Sequence, residues 1–229
     1  MRSPIVSLLL LALLAGCTSA PPALAPAPVV AQDTGAVWYQ RAAAAGQQVL
    51  GVDAARSLIT IVVRRGGPMA RFGHDHVIAS RSLSGFVAPD AGRADLHFRL
   101  DQMTVDETAL RSQAGLDTQP DADAIEGTRK NMLTRVLEAE RYPVVLLQIK
   151  RLGSAGAGTL VRLSVMLHGV TRSVDVPVQL QRSAKSLTAS GTLRLKQSDF
   201  GITPLSIFGG AMSVQDEMEL AFTIVARTA

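Results

Sequence analysis

Apolar and polar residues alternate along most of the chain in short segments, which is the pattern of β-strands that bury one face. The clearest example spans residues 159–181, TLVRLSVMLHGVTRSVDVPVQLQ, whose two alternating halves meet at His168-Gly169-Val170-Thr171. Two such runs joined by a short glycine-containing turn predict an antiparallel hairpin. Because an isolated hairpin has nothing to bury its apolar face against, we expect the rest of the chain to complete a sheet around it.

Further segments of the same kind are separated by turn residues, and the first two are predicted to pair as a hairpin around residues 54–57. The predicted strands outside the central hairpin lie at 49–53, 58–65, 76–86, 94–100, 144–152, 187–196 and 213–226. An antiparallel sheet of about eight strands closes economically into a barrel. The pattern therefore predicts an all-β fold, an antiparallel β-barrel.

One segment, residues 121–139, departs from this alternation and shows helical spacing. Acidic residues at its start suit the positive end of a helix dipole, and Tyr142-Pro143 ends it. We expect a single α-helix packed at the side or mouth of the barrel. The apolar residues that recur along it are Ile125, Met132, Leu133, Val136 and Leu137.

The N-terminus carries a targeting pattern. Arg2 precedes an apolar run at 5–14 that is too short to span a bilayer. Leu14-Ala15-Gly16-Cys17 resembles the bacterial lipoprotein signal, which implies that Cys17, the only cysteine, is acylated and becomes the mature N-terminus. Thr18 after it implies sorting to the outer membrane. An ordinary secretory signal cleaved near Ala20 is the alternative.

Residues 17–48 are predicted to be the lipidated cysteine and an Ala/Pro-rich tether, following a signal peptide at 1–16. The stretch WYQRAAAAG at 38–46 is compatible with a short helix or with a frayed linker, and both interpretations stay open. The folded domain is expected over 49–229.

Composition excludes several classes of function. Aromatic residues make up only 4% of the chain, so there are few platforms on which nucleobases could stack. The net charge of +4 is dispersed, and no nucleic-acid partner is expected. The sequence contains no phosphate-cradling glycine loop, CxxC pair or HExxH helix. We therefore predict no cofactor and no enzymatic activity.

Four segments resemble the YceI-like family of lipocalin-like periplasmic proteins, and the match covers roughly residues 49–226. They are VDAARSLITIVVRRGG, AERYPVVLLQI, LHGVTRSVDVPV and LKQSDFGITPLSIFGGAMSVQDEMELAF. The resemblance implies a lipocalin-like barrel, closed on one side by the helix, whose apolar interior holds a polyisoprenoid or another long-chain lipid. It also implies a periplasmic location, here at the membrane that holds the anchor.

The residue pattern alone leaves open whether the barrel is hollow or filled. A filled barrel would favour a scaffold or interaction module of the cell envelope, whose strand edges matter more than its interior. An orphan edge strand would also suit a homodimer, although no particular residue points to one.

Candidate site residues cluster first at His74-Asp75-His76, after Arg71-Phe72-Gly73. Three interpretations remain: loop histidines that hold the barrel rim, a polar collar that orients a lipid headgroup, or a metal-dependent centre with Asp75 as third ligand. In an extended strand His74 and His76 share a face and supply only two metal ligands. His168 is a remote candidate for a third.

The remaining candidate ligand contacts are aromatic or aliphatic. Phe72, Phe86 and Phe208 suit core or rim packing, as aromatics usually do. Met132 and Val136 must bury one face of the predicted helix in any case, and they line a ligand tunnel only if the barrel is hollow.

Overall fold

The computed structural model describes residues 33–116 and 118–228. The predicted signal peptide at 1–16, the lipidation site Cys17 and the first part of the predicted tether lie outside the described residues.

Twelve strands and three α-helices make up this part of the chain. The helices are α1 (Asp33–Ala44), α2 (Thr108–Gln113) and α3 (Ala122–Asn131), and α3 continues as a π-helical turn over Met132–Val136. The strands are β1 (Leu50–Val52), β2 (Leu58–Gly66), β3 (His76–Ser80), β4 (Ser84–Ala88), β5 (Arg93–Arg99), β6 (Thr104–Val105), β7 (Val144–Ala155), β8 (Gly158–Leu167), β9 (Val170–Arg182), β10 (Ser186–Lys196), β11 (Ser206–Ile207) and β12 (Met212–Arg227). None of these helices is long and apolar enough to cross a membrane.

Eight strands close into an antiparallel barrel in the order β1-β4-β5-β7-β8-β9-β10-β12. Closure is made by β1, which pairs with β4 on one side and with the end of β12 on the other. Along the same edge β12 also pairs with β2, and β3 and then β6 follow β2 in the sheet. The short strand β11 pairs with the start of β12. The predicted all-β, antiparallel barrel is confirmed.

The central hairpin is confirmed and its turn is shorter than the sequence indicated. β8 and β9 pair up to Leu167 and Val170, so His168 and Gly169 alone form the loop. Their φ angles are 53° and 75°, the geometry of a type I′ turn, which requires positive φ at both central positions. Glycine supplies one of these positions without strain.

The predicted hairpin between the first two strands is wrong. β1 and β2 do not pair with each other, and both run along one edge of β12, opposite residues 226–227 and 213–223 respectively. The amide of Asp53 donates to Val225 O at 2.8 Å, so the chain stays on β12 through the 3₁₀ turn at Ala54–Arg56. The 3₁₀ turn therefore interrupts a strand that follows β12, and it does not reverse the direction of the chain as a hairpin turn would.

A second interruption divides the strand predicted at 76–86 into β3 and β4. β3 pairs with β2 and β6, whereas β4 pairs with β1 and β5. The intervening residues, Arg81-Ser82-Leu83, include neither glycine nor proline, and Leu83 is buried. The break therefore left no turn signal in the sequence.

The predicted helix is confirmed as α3 and its π-helical turn. The Asp121 carboxylate caps it by accepting from the Ala124 amide at 2.8 Å. At the other end the amide of Leu137 donates to Met132 O at 2.9 Å, a bond between residues five apart.

Of the two other helices, α1 was one of two interpretations left open by the sequence and α2 was not predicted. α1 occupies the segment that the sequence left open and packs on the outer wall of the barrel, where Tyr39 is 2% exposed and stacks on Phe86. Burial raises the pKa of Tyr39, whose hydroxyl donates to Asp95 at 2.9 Å. α2 covers the outer face of β3 through Leu110, which packs with Val77 and Ala79.

Candidate functional site

The side chains that point into the barrel form an inward row on each strand, and these rows enclose an apolar cavity. Because side chains alternate across a strand, every strand of the ring has an inward face, and every one except β1 contributes residues to the cavity lining. The cavity measures about 310 Å³, within the roughly 300–1,000 Å³ typical of small-molecule sites. The inward residues that run the length of β7, β8, β9 and β12 include Val145, Leu147, Ile149, Val161, Leu163, Val165, Val176, Val178, Leu180, Leu220, Phe222 and Ile224. The barrel is therefore hollow.

Aliphatic side chains predominate in the lining. An eight-stranded barrel is wide enough either to be filled by its side chains or to hold one small ligand, and here the side chains leave a cavity. The Phe222 ring on β12 borders the cavity and lies beside a glycine, since a Cβ added to Gly191 on β10 would lie 2.9 Å from it. The ring lies over the glycine rather than across the cavity.

One end of the cavity is closed by the π-helical turn, which contributes Met132, Val136 and Leu137 to the lining. We call this the lid end. Its support is the β8–β9 turn, where the His168 ring lies 4.4 Å from the Tyr142 ring. His168 Nε2 lies 3.4 Å from a Glu138 carboxylate oxygen, a contact without hydrogen-bond geometry.

The opposite end, which we call the mouth, is polar. The inward rows of β7 and β9 end in Arg151 and Arg182, and both border the cavity. Neither arginine was predicted as a site residue, although each follows the last apolar residue of its alternating series, Ile149 in β7 and Leu180 in β9. At the mouth the Arg182 guanidinium donates to Asp90 in the β4–β5 turn at 2.8 Å. That hydrogen bond holds the pKa of Asp90 below its usual value.

The His74-Asp75-His76 segment does not border the cavity. His76 Nδ1 lies 2.6 Å from the Asp106 carboxylate, and Asp75 accepts from the Arg65 amide at 2.9 Å. Among the described residues, no group of three or more His, Cys, Asp or Glu side chains is placed to hold a metal. The geometry favours the structural interpretation of these histidines over the headgroup and metal interpretations.

A buried ionic cluster, formed by His76, Asp106 and Arg111, explains why this segment is ordered. Asp106 accepts from Arg111 Nη1 at 2.5 Å and from the Val77 amide at 3.1 Å. Burial alone would raise the pKa of Asp106, but the hydrogen bond and charge of His76, with the Val77 and Arg111 bonds, hold it below its ordinary value. Arg111 also donates to Asp75 O, so the cluster joins β3, β6 and α2. No local pattern in the sequence points to Asp106 or Arg111.

Of the other residues predicted to contact a ligand, some line the cavity and some lie outside it. Met132 and Val136 line the cavity. Phe86 lies on the outer wall against Tyr39, and Phe72 and Phe208 are 59% and 74% exposed on loops at the lid end. Ligand contact by all of these residues stays a prediction, and the geometry favours it for Met132 and Val136.

Two solved structures are similar to this chain. The structure of BcnA from Burkholderia cenocepacia is 17% identical, with a TM-score of 0.53, over 76% of this chain and 98% of that one. A Campylobacter jejuni YCEI protein is 13% identical, with a TM-score of 0.45, over 64% of this chain and 81% of that one. No curated protein matches the chain. The model of the YceI-like domain matches residues 52–226, and the chain therefore belongs to the YceI-like domain family.

Proposed function

We propose that the barrel binds an isoprenoid-like or other long-chain lipid inside its cavity. The observation that carries this proposal is a continuous apolar space within a closed barrel, bordered by polar residues mainly at its mouth. A hydrocarbon tail suits such a space because it has no polar atoms to leave unpaired. The family's barrel fold is consistent with this kind of ligand.

Affinity should come mainly from the tail. Each buried methylene contributes about 0.8 kcal/mol, so binding should strengthen with tail length until the cavity is full. The headgroup then contributes orientation and a smaller share of the affinity. We place this activity in binding and sequestration rather than in catalysis.

We also propose that the protein is a lipoprotein held through Cys17, in the outer membrane with its domain in the periplasm. The support is the sequence pattern around Cys17. Between that cysteine and α1, which starts at Asp33, lie residues 18–32, a length of chain that reaches at most roughly 50 Å. The barrel would take up and hold lipid only within that distance of its membrane.

Native mass spectrometry of the protein purified from its own cell envelope tests the binding proposal. We expect lipid adducts on the purified protein, or uptake of prenyl alcohols offered to it afterwards. A spectrum free of adducts, with no uptake of any prenyl alcohol, would overturn the proposal. The mass of the N-terminal peptide from the same sample tests acylation of Cys17.

A further inference from the structure

The polarity of the cavity changes abruptly at the mouth. Along β7 the inward row runs to Ile149 and then Arg151, and along β9 it runs to Leu180 and then Arg182. The two strands are separated in the ring only by β8. Alternation therefore places two guanidinium groups where a hydrocarbon tail would end and its headgroup would begin.

Arg182 crosses the opening of the barrel. Its partner Asp90 belongs to the β4–β5 turn, and β4 lies opposite β9 in the eight-strand ring. A second hydrogen bond, 2.7 Å long, joins Arg182 Nη2 to Gln48 Oε1. The side chains of Arg182 and Asp90 are 43% and 61% exposed, and an ion pair this accessible to water exchanges readily for another anion.

Arg151 makes no ion pair with a carboxylate in the described part of the chain, and its side chain packs on the turn glycine Gly92. After the hydrogen bond and charge of Arg182, the charge of Arg151 also lowers the pKa of Asp90. Asp90 is therefore paired with Arg182 and only influenced by the charge of Arg151. Arg93 does not join them, because its guanidinium pairs with Asp95 on the outer wall and lies over the Trp38 ring.

We propose that the mouth is an anion site, in which Arg151 and Arg182 bind a negatively charged headgroup of the lipid and Asp90 occupies its place when no lipid is bound. The inference rests on the proposed function, since the tail must fill the cavity behind the headgroup. Guanidinium groups bind phosphate and carboxylate oxygens through paired, charge-assisted hydrogen bonds. The tail then points toward the lid end, and the Arg182–Asp90 bridge opens as the headgroup enters.

Binding of farnesyl phosphate and of farnesol to the folded full-length chain tests this inference, because the two probes differ only in the headgroup. We expect the parent protein to bind the phosphate at least about tenfold more tightly than the alcohol at low ionic strength, the effect of a new charge-assisted contact. Added salt should shrink this ratio because it screens exposed charges.

Substitutions at the mouth test which residues cause the preference for farnesyl phosphate over farnesol. Arg151→Gln and Arg182→Gln should each reduce the ratio of the two affinities toward one, whereas Arg162→Gln, which removes the same charge from the outer wall of β8, should leave it unchanged. Asp90→Asn removes the internal competitor and should raise affinity for the phosphate. Circular dichroism of each variant establishes that the barrel is folded. Farnesate in place of the phosphate shows which anion the mouth prefers.

Two kinds of failure are distinguishable. If farnesol and farnesyl phosphate bind equally tightly to the parent, or if the arginine variants keep its preference, the anion site is refuted and lipid binding stands. If neither probe binds, and no longer prenyl alcohol binds either, lipid binding itself is refuted.

Discussion

Gly85 shows how a single backbone position constrains the barrel. It lies in β4 at a φ of 136°, a conformation that residues with a side chain rarely adopt. A Cβ added there would lie 2.2 Å from Asp95 O in β5, and this backbone atom cannot move without breaking the β4–β5 ladder. Glycine at this position allows two strands of the ring to approach closely.

Gly85→Ala is therefore expected to destabilise the protein by about 3 kcal/mol or more, through steric overlap and backbone strain. Urea unfolding followed by circular dichroism measures the change. Gly51→Ala in the neighbouring β1 is the control, because nothing lies within 4 Å of its added Cβ, and it should change the free energy of unfolding by less than about 1 kcal/mol. Equal effects of the two substitutions would contradict the explanation.

Asp106 makes the stability of the fold sensitive to acid. Its side chain is 0% exposed, and its lowered pKa means that the folded state favours the ionised carboxylate. The stabilisation from this group is therefore fully present above the unfolded pKa of about 3.9 and is lost as the pH falls through the folded pKa.

Asp106→Asn should cost about 3–5 kcal/mol at neutral pH, because Arg111 would remain buried without its carboxylate. Unfolding by urea over a series of decreasing pH values should show the difference between parent and variant shrinking in acid. A difference that stays constant across the acid range would show that the charge of Asp106 is not its source. Asp175→Asn, at an exposed pair on the barrel wall, is the control.

The π-helical turn after α3 is the element that shapes the closed end of the cavity. An insertion of one residue per turn rotates the following side chains relative to a regular helix, and here Met132, Val136 and Leu137 face the interior. The neighbouring Arg135 points to solvent. Because inward and exposed residues are adjacent in this turn, substitutions in it can test whether the turn contacts the ligand.

Val136→Ser replaces methyl groups of the lining with a hydroxyl and should weaken binding of farnesol by about 1–2 kcal/mol, roughly five- to thirty-fold. Isothermal titration calorimetry of the folded variant gives the affinity. Arg135→Ser changes the adjacent exposed residue of the same turn and should bind farnesol like the parent. A loss of affinity in both variants would indicate a disturbed helix rather than a lost contact.

At the scale of the whole molecule, closure of the strand ring and a mainly aliphatic lining together give the protein a hollow interior. The same alternation with bulkier inward residues would give a filled barrel, since protein interiors pack densely where side chains allow it. The stability of such a hollow fold should rise when a ligand restores the missing contacts, because a ligand that binds only the folded state stabilises it.

The melting temperature should therefore rise along a series of prenyl alcohols of increasing length and level off once the cavity is full. Ala189→Phe, which places a ring in the interior from β10, should shift that plateau to shorter alcohols. Thr188→Phe places the same ring on the outer face and should keep the plateau of the parent. Differential scanning calorimetry measures both, and a plateau that is the same in all three proteins would contradict a cavity of fixed volume.

Much of this fold could be predicted from the sequence, because alternation and helical spacing are local properties. The β8–β9 hairpin, the helix capped by Asp121 and the antiparallel barrel all follow from residues close together in the chain. So does the aliphatic character of the inward rows, which Leu163, Val165 and their neighbours display directly.

What only the tertiary structure decided depends on residues far apart in the chain. The pairing of β1 with both β4 and β12, the burial of Asp106 beside His76 and Arg111, and the position of Arg182 across the mouth from Asp90 all join distant segments. Local patterns state which face of a strand is apolar but not which strand lies beside it. For the same reason the sequence established an apolar interior, and only the closed ring showed that this interior is empty enough to hold a ligand.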